Sequence, residues 1–151
     1  MGFGHFHPGN IAVHGIQPED VGSAPSAPEA FADMLDWIDG DVLVAHNATF
    51  DMGVIRSTLE VIGRPIPPLE YACSLLVARR TYIKEGGVPE NHRLSTMAEL
   101  IGIQDFNHHD ALADADACAR LMIHAANRHD ATDLAELLAA TKQTLKPLIK
   151  S

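Results

Sequence analysis

Two short segments of this chain hold residue types that could do chemistry together. In Val44-Ala45-His46-Asn47-Ala48-Thr49-Phe50-Asp51 an apolar run passes into a helical pattern, and Asp51 arrives at the start of that helix. In His108-His109-Asp110-Ala111-Leu112-Ala113-Asp114-Ala115 an imidazole, His109, is followed five residues later by a carboxylate, Asp114. Carboxylates are hard donors suited to a divalent cation. An imidazole titrates near neutrality and can take a proton from water. Each segment also has a plain structural explanation. Asp51 could be a first-turn acid that the helix dipole favours by roughly a few tenths of a kcal/mol. Asp110, Asp114 and Asp116 could form the solvated acidic half of a helix, and His46 and Asn47 could be turn and cap residues. Spacing within either segment alone leaves both explanations open.

The elements that must position these side chains follow from hydrophobic periodicity. Residues 1–25 read as loop and turn, punctuated by Pro8-Gly9, His14-Gly15 and Pro18. Ser26 and Glu29 form a capping box ahead of a helix with Phe31, Leu35 and Ile38 on one face, stopped by Gly40. Val42–Ala45 reads as a buried strand, and the ligands of open α/β sheets gather at the carboxyl ends of such strands. From Phe50 the apolar period becomes helical through Met52, Ile55, Leu59 and Ile62, ending at Gly63 and Pro65. A second strand is expected at Tyr71–Cys73, then a helix over Ser74–Tyr82 and a polar mobile loop over residues 84–93. Helices over Ser95–Ile101, from His109 onward, and over Thr132–Leu145 complete the pattern. Strands alternating with helices predict a parallel α/β arrangement in one domain, with an α/β core over residues 26–151. Only two strands are legible, a thin sheet for so many helices.

Composition bounds the function. A hydrophobic fraction of 46% over 151 residues describes a packed globule of about one domain. No apolar run approaches the ~20 residues that span a bilayer, so no membrane association is expected. Cys73 and Cys118 are the only cysteines, too few for a disulfide framework, and a reducing cytoplasm is the expected compartment. A formal charge of −9 disfavours a protein that coats nucleic acid through Lys and Arg. It leaves open a metallonuclease that grips one strand end through bound cations. The nine histidines lack His-x₃-His spacing and no Cys-x₂-Cys pair exists, which sets aside a zinc site.

Taken together and in order, the segments resemble the DEDD 3′–5′ exonucleases with a histidine base, the DnaQ-like group that includes the proofreading subunit of bacterial DNA polymerase III. Val13-His14-Gly15-Ile16 is similar to the turn upstream of that family's second motif, and His46 to Asp51 matches the motif itself. Leu94-Ser95 through Gly102-Ile103 resembles the helix before the third motif, and His109 with Asp114 matches the third. The resemblance implies an RNase H-like exonuclease fold, with Asp51 and Asp114 as metal ligands and His109 as general base. It places His14, His46 and Asn47 beside the terminal nucleotide. It implies two-metal hydrolysis with Mg²⁺ or Mn²⁺ at the 3′ end of single-stranded DNA or RNA, releasing nucleoside monophosphates. A DNA polymerase is among the partners it implies.

The chain departs from the family at one point: no Asp-x-Glu pair, the family's first motif, occurs anywhere in the 151 residues. The expectation is therefore a truncated exonuclease domain, 1–151, whose N-terminal strands are lacking and whose helix-rich remainder lies on a small parallel sheet. A late start, a natural remnant that binds without cutting, and completion of the site by another chain all account for this. Exposed strand edges would then favour self-association.

Overall fold

The computed structural model describes residues 7–83, 89–104 and 110–149. Its first element is a helix, α1 (Pro8–His14), where the sequence reads as loop and turn. The residues expected to break structure act here as its caps. Pro8 occupies the first turn, His7 Nδ1 accepts from Gly9 N at 3.1 Å, and Gly15 closes the helix with a φ of 73°. Proline inside the start and glycine past the end are compatible with a helix between them. The capping box forms ahead of α2 (Ala27–Ile38), where the Glu29 carboxylate accepts from Ser26 N at 2.8 Å.

Strand β1 (Leu43–Ala45) leads into α3 (Thr49–Val61), and β2 (Glu70–Cys73) leads directly into α4 (Ser74–Thr81). The two strands pair in parallel, Leu43 with Tyr71, Val44 with Ala72 and Ala45 with Cys73, so their carboxyl ends lie side by side. Helices α5 (Leu94–Leu100), α6 (Ala111–Arg128) and α7 (Leu134–Ala140) follow. A two-residue strand, β3 (Lys146–Pro147), then pairs antiparallel with β2, giving the order β1-β2-β3. The sheet is therefore small, as expected, but mixed rather than wholly parallel. The final helix is also shorter than its apolar spacing suggests. Thr141 ends it, Lys142 turns left-handed at a φ of 56°, and Leu145 reaches the same apolar cluster from outside the helix.

Side chains on β2 alternate between two faces. Ala72 packs with Val77, Met122, Ala125, Leu137 and Leu138 from α4, α6 and α7. Tyr71 and Cys73 pack on the other face with Ile38, Ala48 and Met52 from α2 and α3. A further cluster joins α4, α5 and α6 through Ala78, Tyr82, Met97, Ala98, Ala117 and Leu121. Small residues at positions 78, 98, 117 and 125 let these helices approach closely around the larger Met97 and Leu121. The chain is thus an α/β layered fold with helices on both faces of its sheet. No described helix is long and apolar enough to cross a membrane.

Candidate active site

The carboxyl ends of β1 and β2 open into a cavity of about 970 Å³. Asn47 produces the turn out of β1. It adopts a φ of 69°, a left-handed conformation that asparagine tolerates better than other side chains bearing a Cβ. Its carbonyl accepts from Phe50 N at 3.0 Å, which starts α3 and brings Asp51 into the first turn. On the other side, Asp110 caps α6 by accepting from Ala113 N at 2.9 Å, and Asp114 falls in that helix's first turn. Two different helix starts thereby place Asp51 and Asp114 on the lining of one cavity.

His14, His46 and Asn47 line the same cavity. Five of the six residues singled out from the sequence are thus brought together across a chain separation of 100 positions, from His14 to Asp114. The sixth, His109, lies outside the described residues.

His46 is the best-held of the five. Its Nε2 donates to the His92 carbonyl at 2.8 Å, because a carbonyl can only accept. In the neutral ring Nδ1 is then the acceptor of the Ser74 hydroxyl at 2.9 Å, with the Ala45 carbonyl a longer second acceptor at 3.4 Å, and the Cys118 thiol donates to Ser74 Oγ at 3.2 Å. One imidazole therefore ties the end of β1 to the start of α4 and to the segment before α5. Burial lowers the His46 pKa from its ordinary value, outweighing the hydrogen bond to the His92 carbonyl that raises it; the fields of Arg79 and His92 add to the lowering, and Asp114 opposes it. The neutral ring that this favours is the form in which Nε2 donates and Nδ1 accepts. Burial raises the Cys118 pKa, so this residue is a thiol donor at neutral pH.

Asp51 is half-buried, and desolvation raises its pKa against the opposing pull of its own backbone N–H and of His46. Its anion is under-compensated by its surroundings, which a cation would relieve. Hard carboxylate oxygens from Asp51 and Asp114 on one cavity suit Mg²⁺ or Mn²⁺ as part of a donor set. Among the described residues no group of three or more His, Cys, Asp and Glu side chains gathers into a complete cation cage.

Part of the cavity's lining was not singled out from the sequence. Leu75 and Arg79 of α4, with Asn91, His92 and Arg93 ahead of α5, also line the cavity. The detectable signal was the run of donors Asn91-His92-Arg93 directly before a helix start, inside a stretch expected to be a mobile loop. Of that stretch, residues 89–93 are described, and the side chain of Asn91 and the carbonyl of His92 anchor them. Residues 84–88 lie outside the described set.

Comparison with known proteins agrees with the geometry. Residues 4–122 match the family model described as "Exonuclease". This chain belongs to that exonuclease family. The family match covers α1 to α6 in part or whole and therefore every residue of the cavity. Among its relatives is the DNA polymerase III PolC-type of Bacillus subtilis, 34% identical over 119 residues, which is 75% of this chain and 8% of that protein. The polymerase of the same type from Oceanobacillus iheyensis is 35% identical over 118 residues, and that from Listeria monocytogenes 38% over 111 residues. Those stretches are 74% of this chain in both cases, and 8% and 7% of the respective relatives. The exonuclease domain thus corresponds to a small fraction of each curated relative's length.

Proposed function

We propose that this exonuclease domain hydrolyses phosphodiesters from the 3′ end of single-stranded DNA or RNA, releasing nucleoside monophosphates. The observation that carries this is the convergence of Asp51 and Asp114, from two separate helix starts, on one cavity at the carboxyl ends of a parallel strand pair. Asp51 and Asp114 would hold Mg²⁺ or Mn²⁺, which when bound supplies charge stabilisation at the scissile phosphate and lowers the pKa of water. His109 takes the proton of the attacking water, whose oxygen forms the new bond to phosphorus as the bond from phosphorus to the 3′ oxygen breaks. The leaving oxygen gains its proton from solvent. His14 and Asn47 flank the terminal nucleotide, and His46 shapes the cavity beside it. The PolC-type names of the relatives support a DNA polymerase as the working partner.

A second reading has its own support. Among the described residues two carboxylates, Asp51 and Asp114, line the cavity, and no group of three or more candidate ligands gathers there. On that reading the chain is a module that binds nucleic acid or protein without cutting. Self-association through the edge of β1 that is unpaired among the described residues, where Val44 is 37% exposed, fits either reading.

The test is release of nucleotides from a 5′-labelled single-stranded oligonucleotide with Mg²⁺ or Mn²⁺, beside an Asp51→Ala variant. A stepwise ladder from the 3′ end that falls at least about 100-fold in the variant establishes hydrolysis at this cavity. Binding of the oligonucleotide with no ladder from either protein selects the non-cutting module.

A further inference from the structure

The geometry points to a phosphate-reading wall built from Arg79, Asn91, His92 and Arg93, on the lining of the same cavity as the two carboxylates, that holds the backbone of the strand leading to the 3′ end. It deepens the hydrolytic reading and rests on the cavity being the seat of a nucleic-acid end. The chain carries 20 acidic residues against 11 basic ones, so a surface guanidinium would ordinarily meet a carboxylate. Yet Arg79 and Arg93 both line the cavity, and neither makes an ion pair among the described residues. Two guanidiniums with no carboxylate partner among the described residues, both on the lining of one cavity of an otherwise acidic molecule, favour an anion there. His46 registers the Arg79 charge, which lowers its pKa while Asp114 raises it.

The wall is also preorganised. Asn91 Oδ1 accepts from Arg93 N at 2.9 Å and from Thr96 Oγ1 at 2.8 Å, locking the turn that presents Arg93. The next carbonyl, that of His92, is held by His46 Nε2 at 2.8 Å. Rigid backbone beneath flexible cationic side chains lowers the ordering cost of binding. In addition, His92 Nε2 is shielded from solvent without a partner among the described residues, so the wall holds polar capacity that the fold does not use. Arginine recognises phosphate through paired N–H groups at fixed angles, which suits two guanidiniums facing successive phosphodiesters. The acidic side of the cavity would handle the reacting phosphate, and this wall the phosphates upstream of it.

The experiment is fluorescence anisotropy in EDTA, where hydrolysis is suppressed, with a short single-stranded DNA and the same sequence as RNA, over a range of salt. Arg79→Gln and Arg93→Gln should each weaken binding of both polymers about five-fold near 0.1 M salt. Each should also flatten the plot of log affinity against log salt by about 0.7, the single-strand value for one phosphate contact. Arg64→Gln, an exposed arginine outside the cavity, should change neither quantity. With methylphosphonates replacing the phosphates near the 3′ end, the two wall variants should bind as the wild type does. An unchanged salt slope, a loss confined to one polymer, a loss that persists on the neutral backbone, or no measurable binding by the wild type would each overturn the wall. Failure of hydrolysis alone, with these slopes intact, would overturn the catalytic reading and leave the wall standing.

Discussion

The two flanks of the sheet are built to different standards. Around α4, α5 and α6 the interior is closed: Leu121, Met97, Val77 and Ala125 are fully buried. Around β1 and the start of α3 the inner side chains Ala48 and Met52 are buried, but the outer ones are open to solvent. Val44 is 37% exposed in the middle of its strand, and Phe50 is 68% exposed one residue before Asp51. The closed flank supplies the stability that lets the open flank carry half-buried charge and a left-handed asparagine. Polar groups on the open side are held by hydrogen bonds instead, with His46 linking β1 to α4 and to the segment before α5.

Substitutions can break or sharpen that contrast. The largest effect is expected from Leu121→Ala, which empties a fully buried site on α6 between helices that cannot collapse freely. It should cost about 2–5 kcal/mol, read as a lower urea midpoint at constant slope. A loss below about 1 kcal/mol would mean that the helical flank is looser than described. His46→Ala should come next. It strands the His92 carbonyl and removes the shortest partner of the Ser74 hydroxyl, for about 1–3 kcal/mol, and should leave part of the cavity wall unanchored.

The same histidine sets a pH dependence with a definite sign. Its folded pKa lies below the ordinary 6.5, so the unfolded chain binds the proton first as pH falls. Stability from the neutral ring is present above about 6.5 and declines as pH drops from there towards the folded pKa. Asp51 acts oppositely. Its pKa is raised from 3.8, so its contribution worsens as pH rises from that value through the folded one. Thermal melts from pH 7 to pH 5 should show a falling midpoint that flattens in His46→Gln. Asp51→Asn should melt no lower than wild type at pH 7 while losing activity, and a clear drop would assign Asp51 a structural role. The smallest effect belongs to the open flank. Phe50→Ser should stay within about 0.5 kcal/mol, because most of that ring is already in water. A cost above about 1 kcal/mol, vanishing on dilution, would reveal a covering partner such as a second copy of the chain.

Much of the scaffold was legible because local signals coincided with tertiary need. Ser26 with Glu29 starts α2 where expected, and the apolar run ending at Ala45 is a strand. The legibility failed where one residue type serves two ends. Pro8 and Gly15 punctuate loops and also cap helices, so α1 reads as a turn. Leu145 continues a helical spacing only because its side chain reaches the α7 cluster after the chain has turned.

What the sequence determined by itself is the order of the elements and the residue types at two helix starts, Asp51 and Asp114, since these depend on spacing of a few positions. Tertiary structure decided that both acids, with His14, His46 and Asn47, line one cavity at adjoining strand ends. It also decided that His46 spends both ring nitrogens on Ser74 and His92, and that Arg79 and Arg93 line the same cavity. Those partners lie 28 and 46 positions from His46, beyond any local period. Only the parallel pairing of β1 with β2 and the packing of α4 against α6 set such distances.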